Sequence, residues 1–264
     1  MSSICTIFAA MKQAMIFAAG LGTRLKPLTD TMPKALVPVA GEPLLHHVVM
    51  KLKNAGYERI VVNVHHFADQ IIDYLNANHN FGLDIRISDE RDGLLETGGG
   101  IKKALPLFDS QSPILIHNVD ILSNFDLTND WLNSETPPDA LLLVSRRKTK
   151  RYLLFDEENL LDGWTNIETG EVKSPYSRQS EDSSLFTLHS SLQKLAFSGI
   201  HVIWPMVFPL LQEMPERFSI IDFYLKYCHQ YAFIGHEQKD LQLLDVGKLD
   251  ALDQAEEFLR IINR

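Results

Sequence analysis

A glycine-rich segment with two nearby cations is the part of the sequence best suited to bind phosphate. It reads Gly-Leu-Gly-Thr-Arg over residues 20–24, follows an apolar run over residues 14–19, and precedes Lys34 by ten residues. Glycine permits positive φ and lets backbone N–H groups approach a polyphosphate closely, because no Cβ intervenes. Arg24 offers a bidentate cation, and Lys34 offers a second positive charge that could follow charge developing on the α-phosphate. We therefore predict that a triphosphate binds here.

The wider pattern around these glycines separates the segment from two common nucleotide loops. No third glycine completes G-x-G-x-x-G, and G-x-x-x-x-G-K-[ST] is absent. A lone G-x-G would be better explained as a glycine turn beside two solvated cations. Here, however, the composite G-x-G-T-R-x-x-P-L-T is followed closely by Pro33-Lys34, which makes the phosphate-binding interpretation more specific.

Two aspartates follow apolar runs that are typical of strands. Asp120 lies in His-Asn-Val-Asp after the run over residues 113–118, and Asp245 lies in Leu-Leu-Asp-Val-Gly at the last such run. Each could be a helix cap or a solvated turn residue. However, α/β sheets place ligands beyond the carboxyl ends of their strands, and Mg²⁺ prefers hard oxygen ligands. Two such carboxylates could hold one Mg²⁺, although their spacing does not show that they converge.

Further glycines and aromatic residues are candidates for sugar and base contacts. Glu-Thr-Gly-Gly-Gly over residues 96–100 indicates either a ligand approaching the backbone or two tightly packed elements. Trp164 could be a core aromatic, a lid or a platform for a sugar. Ser219 or Asp222 is expected to cap the following helix. His65, His66, His117 and His201 lack ligand spacing, and we interpret them as structural or solvated.

The elements that would position these residues alternate along the chain. Strands and helices in alternation predict βαβ units, and hence an α/β, Rossmann-like and mainly parallel sheet with helices on both faces. The predicted strands cover residues 14–19, 59–64, 84–88, 113–118, 140–145, 196–203 and 241–246. The predicted helices cover residues 44–55, 68–78, 100–107, 222–229 and 249–262.

The polar section over residues 146–191 interrupts this alternation and indicates an inserted segment that faces the substrate. It contains short strands and turns over residues 153–161 and 170–175, then a Ser-rich stretch over residues 178–191. We expect one domain over residues 11–264. A nucleotide-binding half would span 11–120, a sugar-phosphate-binding half 121–240, and a metal-ligand strand with the closing helix 241–264. Residues 1–10 are expected to be an N-terminal extension before a natural start at Met11.

The composition limits the partners and the compartment. The 264 residues include 34 acidic and 25 basic side chains, a formal net charge of -9, which disfavours general binding to nucleic acid or anionic membranes. The chain has two cysteines, Cys5 and Cys228, which lie far apart without a C-x-x-C partner. This pattern indicates neither a disulfide framework nor a zinc site and fits a reducing cytoplasm. A monomer or small homo-oligomer is expected.

Taken together, the glycine, Pro-Lys, N-x-D and D-V-G motifs resemble those of nucleotidyltransferases that activate sugar 1-phosphates. The resemblance extends from about Met11 to the final helix and implies a fold of the nucleotide-diphospho-sugar transferase type. It implies catalytic roles for Arg24 and Lys34, and one Mg²⁺ held by Asp120 and Asp245. The nucleotide-binding residues that it implies are Ala19, Gly20, Leu21, Gly22, Thr23, Arg24, Lys34, Glu96, Thr97 and Gly98. The sugar-phosphate-binding residues that it implies are Asn118, Trp164, Glu168 and Gly199.

The resemblance also implies the reaction, in which a nucleoside triphosphate and a sugar 1-phosphate give a nucleotide sugar and pyrophosphate. The segment over residues 96–106 is similar to the form found in N-acetylmuramate-1-phosphate uridylyltransferases and in mannose-1-phosphate guanylyltransferase relatives. UTP and N-acetylmuramate 1-phosphate or a related hexose 1-phosphate are therefore the favoured substrates, with GTP and mannose 1-phosphate as the alternative. A non-catalytic relative that binds nucleotide sugars, and a redox enzyme with a dinucleotide fold, are the alternatives from other classes.

Overall fold

The structure is a computed structural model that describes residues 11–128, 136–175 and 192–262. The predicted extension over residues 1–10 and the Ser-rich stretch over residues 178–191 lie outside the described residues. None of the described helices is long and apolar enough to cross a membrane.

The described elements largely follow the predicted alternation. The strands are β1 (Gln13–Phe17), β2 (Pro38–Val39), β3 (Glu42–Pro43), β4 (Arg59–Val64), β5 (Asp84–Asp89), β6 (Ile114–Asn118), β7 (Ile121–Ser123), β8 (Ala140–Ser145), β9 (Arg151–Phe155), β10 (Leu161–Asn166), β11 (Glu171–Lys173), β12 (Gln193–Ile203), β13 (Phe233–His236) and β14 (Leu243–Asp245). The helices are α1 (Leu44–Asn54), α2 (Ala68–Ala77), α3 (Glu96–Ala104), α4 (Phe208–Glu213), α5 (Ile220–Tyr227) and α6 (Leu249–Ile262).

A ten-stranded sheet forms the centre of the fold. Its first half has the order β6-β1-β4-β5 and is parallel throughout. Strands β1, β4 and β6 are buried along nearly their whole length, as expected when both faces of a parallel sheet are covered, whereas β5 at the edge is more polar. Ala14 and Ile16 of β1 pack on one face with α1, α2 and α6, and Met15 packs on the other face with α3, α4 and α5. The predicted α/β fold, with a parallel core and helices on both faces, is confirmed.

The second half of the sheet is mainly antiparallel. The long strand β12 joins the two halves, because it pairs antiparallel with β6, β8 and β9. Strand β10 lies between β9 and β11 in an antiparallel meander, and β13 adds to β8 in parallel. The sheet therefore changes from parallel to antiparallel at the β6-β12 pair. Within the parallel half the strand order reverses between β1 and β6, and open α/β sheets bind ligands beyond the carboxyl ends of the strands at such a point.

A small two-stranded sheet brings the end of the chain back to the middle of the fold. Strand β14 pairs antiparallel with β7, and Asp245 is directly opposite Ile121. Val246 N–H also donates to the carbonyl of Asp120 at 2.8 Å. Helix α6 follows and packs Ala255 and Leu259 into the core. This backbone pairing carries Asp245 to Asp120 across more than half the chain.

The helix predicted over residues 222–229 is α5, which starts two residues earlier. A second predicted helix starts four residues earlier than expected. We expected the helix to span residues 100–107, but α3 begins at Glu96 and ends at Ala104, with a short 3-10 turn after it. Glycine lowers helix propensity, so the three glycines predicted a later start. Tertiary packing overrides that preference, because Gly98, Gly99 and Gly100 are all buried within the helix.

Candidate active site

The parts of the composite phosphate motif contact one another in the folded chain. Gly22 has φ +64, and a Cβ there would lie 2.9 Å from Thr29 Cγ2 and 3.0 Å from Lys34 Cβ. The Thr29 hydroxyl donates to the Gly22 carbonyl at 2.8 Å. Only glycine fits this left-handed position without displacing its neighbours. The motif thus packs the glycine turn directly against Lys34.

Gly247 allows both predicted metal ligands and Arg24 to approach one point. A Cβ at Gly247 would lie 2.7 Å from Asp245 Oδ1, 3.0 Å from Arg24 Nη2 and 3.4 Å from Asp120 Oδ2. The two aspartates, separated by 125 residues in sequence, therefore converge. A residue with a side chain at position 247 would collide with these groups, which explains why the D-V-G motif ends in glycine.

Lys34 completes the charged group. Its ammonium forms an ion pair with Asp120 Oδ2, and both side chains are largely buried. Arg24 is exposed, and no ion pair involving it is found among the described residues. One cation is thus held against a carboxylate, and a second stands free for an anion.

A cleft of about 260 Å³ opens beside this group. It is lined by residues at or just after the carboxyl ends of β1, β4, β5 and β6, together with residues of the loop before β2 and of the start of α3. The lining residues are Phe17, Ala18, Ala19, Gly20, Lys34, Asn63, Glu90, Leu94, Glu96, Thr97, Asn118, Val119 and Asp120. Seven of the residues named in the sequence analysis line it, whereas Leu21, Gly22, Thr23, Arg24 and Gly98 do not. We call this cavity the nucleotide cleft, after the role proposed for it below.

A buried polar network that the sequence analysis missed supports the nucleotide cleft. Asn63 Oδ1 accepts from Ala18 N–H at 2.7 Å and from Ala19 N–H at 3.3 Å, while Asn63 Nδ2 donates to Glu90 Oε1 at 2.7 Å. The other oxygen of Glu90 accepts from Leu95 N–H at 3.3 Å. Glu90 is fully buried, and this burial raises the pKa of its carboxyl. Asn63 is an amide side chain within a strand of β-branched apolar residues, and this feature of the sequence could have indicated its role.

The three consecutive glycines of α3 serve packing rather than an open approach to the backbone. A Cβ at Gly98 would lie 2.2 Å from the Phe218 ring, and one at Gly99 would lie 2.3 Å from the Glu216 carbonyl. Both glycine N–H groups donate to the Phe218 carbonyl, at 2.9 and 3.2 Å. A Cβ at Gly100 would lie 2.9 Å from Glu90 Oε1. Of the two readings left open for these glycines, tight packing is the one the structure shows.

Glu96 and Thr97 are the residues of this segment that face the nucleotide cleft. Glu96 has φ +63, an uncommon conformation for a residue with a side chain, and its carboxylate pairs with Arg217 at 3.0 Å. The Thr97 hydroxyl accepts from Ile220 N–H at 2.9 Å. Ser219 caps α5 by accepting from Ile221 N–H, so the predicted cap is confirmed for Ser219.

A second cavity of about 500 Å³ lies over the antiparallel half of the sheet. Its lining includes Trp164, and Lys173 Nζ lies 5.2 Å from the centre of the Trp164 ring. Glu168 lies outside it and pairs with Lys150 at 2.6 Å. We call this cavity the sugar cleft, after the role proposed for it below.

The strand β12 connects the two clefts. Phe197 lines the sugar cleft, whereas Gly199, two residues later, adjoins Asn118 of the nucleotide cleft. Gly199 has φ +74, and a Cβ there would lie 2.6 Å from Asn118 Nδ2. The glycine therefore lets β12 pass directly beside Asn118.

The histidines are structural where the structure places them in the core. His117 and His201 are buried, and burial lowers the pKa of each to about 3. His65 interacts through Nδ1 with the Glu90 carbonyl at 2.7 Å. Across the described ranges, no group of three or more His, Cys, Asp or Glu is arranged to hold a metal.

The carboxylate pair nevertheless suits a magnesium ion that is shared with phosphates. Mg²⁺ is typically held by one or two carboxylates, with substrate phosphates and waters completing its coordination. Asp120 and Asp245 supply two hard oxygen ligands close to one point. The donor set therefore fits Mg²⁺ bound together with a polyphosphate.

The fold and the site together define an α/β protein with two carboxylates and two cations grouped beside a cleft at the ends of parallel strands. The comparison with known families specifies the class further: the family described as Nucleotidyl transferase matches residues 13–145. The chain belongs to the nucleotidyl transferase family.

Relatives in sequence carry related names. The chain is 52% identical over 113 residues to an N-acetylmuramate alpha-1-phosphate uridylyltransferase of Caulobacter vibrioides, covering 42% of this chain and 46% of that protein. It is 32% identical over 199 residues to a D-glycero-alpha-D-manno-heptose 1-phosphate guanylyltransferase of Campylobacter jejuni, covering 69% of this chain and 87% of that protein. The match spans about half the length of the first of these relatives.

The fold is also found among solved structures. The structure of HddC from Yersinia pseudotuberculosis complexed with GMP-PN is similar, with a TM-score of 0.72 and 21% sequence identity. The likeness covers 94% of this chain and all of that chain. At this identity, the comparison supports the fold alone.

Proposed function

We propose that the protein joins a nucleoside triphosphate to a sugar 1-phosphate, producing a nucleotide sugar and pyrophosphate. The single observation that carries the proposal is the convergence of Asp120, Asp245, Arg24 and Lys34 beside the nucleotide cleft. Family membership supports the same reaction class. A glycine turn with solvated cations would not need this grouping.

The reaction needs little covalent chemistry from the protein. A phosphate oxygen of the sugar 1-phosphate attacks the α-phosphate of the triphosphate in line, and pyrophosphate leaves. Positioning and charge stabilisation supply most of the catalysis in such transfers. No side chain is required as a nucleophile.

Arg24 and Lys34 are the two cations proposed for this task. Arg24 would bind the triphosphate, because its guanidinium has no ion-pair partner among the described residues. Lys34 is paired with Asp120 and lines the nucleotide cleft. If a metal ion paired with Asp120 in place of Lys34, the Lys34 ammonium would be available to the α-phosphate. A cation that follows developing charge stabilises the transition state more than the ground state.

Asp120 and Asp245 would hold one Mg²⁺ with the phosphates. Bound there, the ion would supply charge stabilisation and orientation for the phosphoryl oxygens. The β7-β14 pair and Gly247 allow the two carboxylates to lie close to one point.

The two clefts suggest how the substrates divide between the halves of the chain. The nucleotide would occupy the half over residues 11–120, with its base near Ala19, Gly20, Glu96 and Thr97. The sugar would occupy the half over residues 121–240, near Trp164, with its phosphate near Asn118 and Gly199. Residues 241–264 supply Asp245 and the closing helix. Such substrates fit a cytoplasmic enzyme.

UTP and N-acetylmuramate 1-phosphate are the favoured substrates because the Caulobacter vibrioides relative carries that name at 52% identity. A guanylyltransferase acting on GTP is the second candidate, since the Campylobacter jejuni relative of that name is matched over 87% of its length. A protein that binds nucleotide sugars without turnover would not be expected to keep all four charged residues.

A substrate matrix tests the proposal. The full chain would be incubated with Mg²⁺, each of four nucleoside triphosphates, and N-acetylmuramate, mannose, glucose or N-acetylglucosamine 1-phosphate, and pyrophosphate release would be measured. We expect release with one pair above all others, UTP with N-acetylmuramate 1-phosphate. Asp120→Asn serves as the matched control. Equal background release in every combination would refute nucleotidyl transfer.

A further inference from the structure

The floor of the sugar cleft is a single face of the β9-β10-β11 meander. In this register Leu153, Trp164 and Lys173 are opposite one another, and Arg151, Asn166 and Glu171 form the next row. Residues directly opposite, and residues two apart along a strand, share one face of a sheet. All six line the cleft. The backbone therefore places Arg151 and Lys173 on one face of the meander, in adjacent rows on the two strands that flank β10, with the Trp164 ring between those strands.

The cations on this floor are only partly neutralised. Arg151 is exposed, and across the described residues no ion pair is found for it. Lys173 has a loose pair with Glu171 at 3.6 Å and lies over the Trp164 ring. Arg147, at the edge of the cleft, donates to the Phe197 carbonyl at 2.9 Å. In a chain with a net charge of -9, this local excess of cations needs an explanation.

The position of the cations separates them from the proposed reaction centre. The nucleotide cleft and the sugar cleft have no lining residue in common. Phe197 and Gly199 are two residues apart on β12, which corresponds to roughly 7 Å along a strand. A sugar bound with its phosphate beside Gly199 and Asn118 would direct its ring substituents over Trp164 toward Arg151 and Lys173.

We propose that Arg151 and Lys173 bind a carboxylate carried by the sugar, so that the enzyme selects an acidic sugar 1-phosphate over its neutral counterpart. A guanidinium binds a carboxylate through two parallel hydrogen bonds, which gives both affinity and orientation. Asp222, on the opposite wall of the cleft, is suited to accept hydrogen bonds from sugar hydroxyls. This inference rests on the proposed nucleotidyl transfer and adds the residues that determine specificity.

A pair of substrates isolates the carboxylate. N-acetylmuramate 1-phosphate differs from N-acetylglucosamine 1-phosphate only by a lactyl ether that bears a carboxylate. The methyl ester of the lactyl group keeps the bulk and removes the charge. We would measure kcat/KM for all three with saturating UTP and Mg²⁺, by pyrophosphate release. We expect the free acid to exceed both neutral sugars by on the order of tenfold or more, the effect of one charge-assisted contact.

Variants assign that preference to the two residues. Arg151→Gln should lower kcat/KM for the acidic sugar about tenfold and leave the neutral sugars within about twofold. Adding Lys173→Gln should remove the remaining preference. Arg146→Gln is the control, since Arg146 pairs with Glu237 and does not line the cleft. It removes the same charge and should change none of the three values.

The outcomes distinguish this inference from the function on which it rests. Equal use of acidic and neutral sugars by the wild type would overturn the inference and leave nucleotidyl transfer intact. An equal loss for all three sugars in Arg151→Gln would also overturn it, since Arg151 would then bind the shared phosphate. If the protein shows no turnover, calorimetry in the presence of a non-hydrolysable UTP analogue would compare the binding of the acidic and neutral sugars. Tighter binding of the acidic sugar without any turnover would support the carboxylate contact and refute the reaction.

Discussion

The nucleotide cleft and the sugar cleft are built by different means. The nucleotide cleft lies at the ends of parallel strands, and the close packing beside it depends on glycine: Gly22, Gly199 and Gly247 leave room for neighbours that a Cβ would displace. The sugar cleft lies on the exposed face of an antiparallel meander, and long side chains such as Arg151 and Lys173 define it. A substitution in the first should disturb the reaction itself, whereas one in the second should change which sugar is accepted.

This difference has a physical basis. Backbone N–H groups and close carboxylates are fixed by the fold. The N–H groups can bind the phosphates that every substrate shares, and the carboxylates can bind a metal ion held together with those phosphates. Side chains on a strand face can change without altering the backbone, because successive residues point to opposite sides. Under the proposed function, substitutions in the antiparallel half would change which sugar is accepted without disturbing the residues of the parallel half that bind the phosphates.

The largest effect is expected at the carboxylates. Asp120→Asn and Asp245→Asn each remove a charge that would hold a hard cation while keeping the side chain's shape. Each should lower kcat on the order of 10³-fold, corresponding to several kcal/mol of lost stabilisation, and excess Mg²⁺ should partly restore it. Asp250→Asn, at an exposed position in the first turn of α6, is the matched control and should retain activity. Full activity in Asp120→Asn or in Asp245→Asn would show that the substituted aspartate has a structural role only.

A smaller loss is expected at the cations. Lys34→Ala should reduce kcat by on the order of 10²- to 10³-fold, with little change in KM for the triphosphate, because the ammonium acts mainly in the transition state. Arg24→Ala should also raise the triphosphate KM. Lys26→Ala is the control, since Lys26 pairs with Asp30 at the surface. Steady-state kinetics measures all three, and an unchanged kcat in Lys34→Ala would remove Lys34 from the mechanism.

The buried network should affect one substrate selectively. Asn63→Ala leaves the N–H groups of Ala18 and Ala19 without their acceptor and Glu90 Oε1 without the Asn63 donor. We expect the triphosphate KM to rise roughly tenfold, with the sugar 1-phosphate KM unchanged, because an unsatisfied buried group costs about 1–3 kcal/mol. Asn78→Ala, on the surface end of α2, is the comparison variant. Equal increases in both KM values would show a general loss of structure instead.

The smallest effect concerns stability where the two halves meet. His201 on β12 and His117 on β6 have folded-state pKa values of about 3, against 6.5 in the unfolded chain. Between pH 6.5 and 3 the unfolded chain binds protons that the folded chain does not, so the unfolding free energy falls as pH falls through this window. His201→Phe removes one of these groups.

Between pH 7 and pH 4.5, the unfolding free energy of His201→Phe should fall by about 2–3 kcal/mol less than that of the wild type. Urea unfolding at the two pH values gives the comparison. Identical pH dependence in the two proteins would show that His201 titrates normally in the folded state.

Much of the fold could be predicted because its signals are local. Short buried strands and the phosphate loop each depend on a few consecutive residues, and β4, β8 and α6 have the expected bounds. The start of α3 was wrong because contacts with Phe218 and Glu216, more than 100 residues away, stabilise the buried glycines.

The site could be predicted only in part. Asp120 and Asp245 were candidates by their motifs, but their convergence depends on the β7-β14 pair, which no spacing reveals. Glu90 gave no signal, since a carboxylate after a strand is usually solvated. Arg151 and Lys173 share a face only once the register of the meander is known.

The double-mutant cycle of Asp120→Asn and Asp245→Asn tests the central claim most directly. It would be measured as kcat/KM at saturating Mg²⁺ for the wild type, both single variants and the double variant. If the two carboxylates serve one ion, they act as a unit, and the losses should be strongly non-additive in free energy. We expect the double variant to lie within about tenfold of the weaker single variant. Strictly additive losses would contradict a shared site.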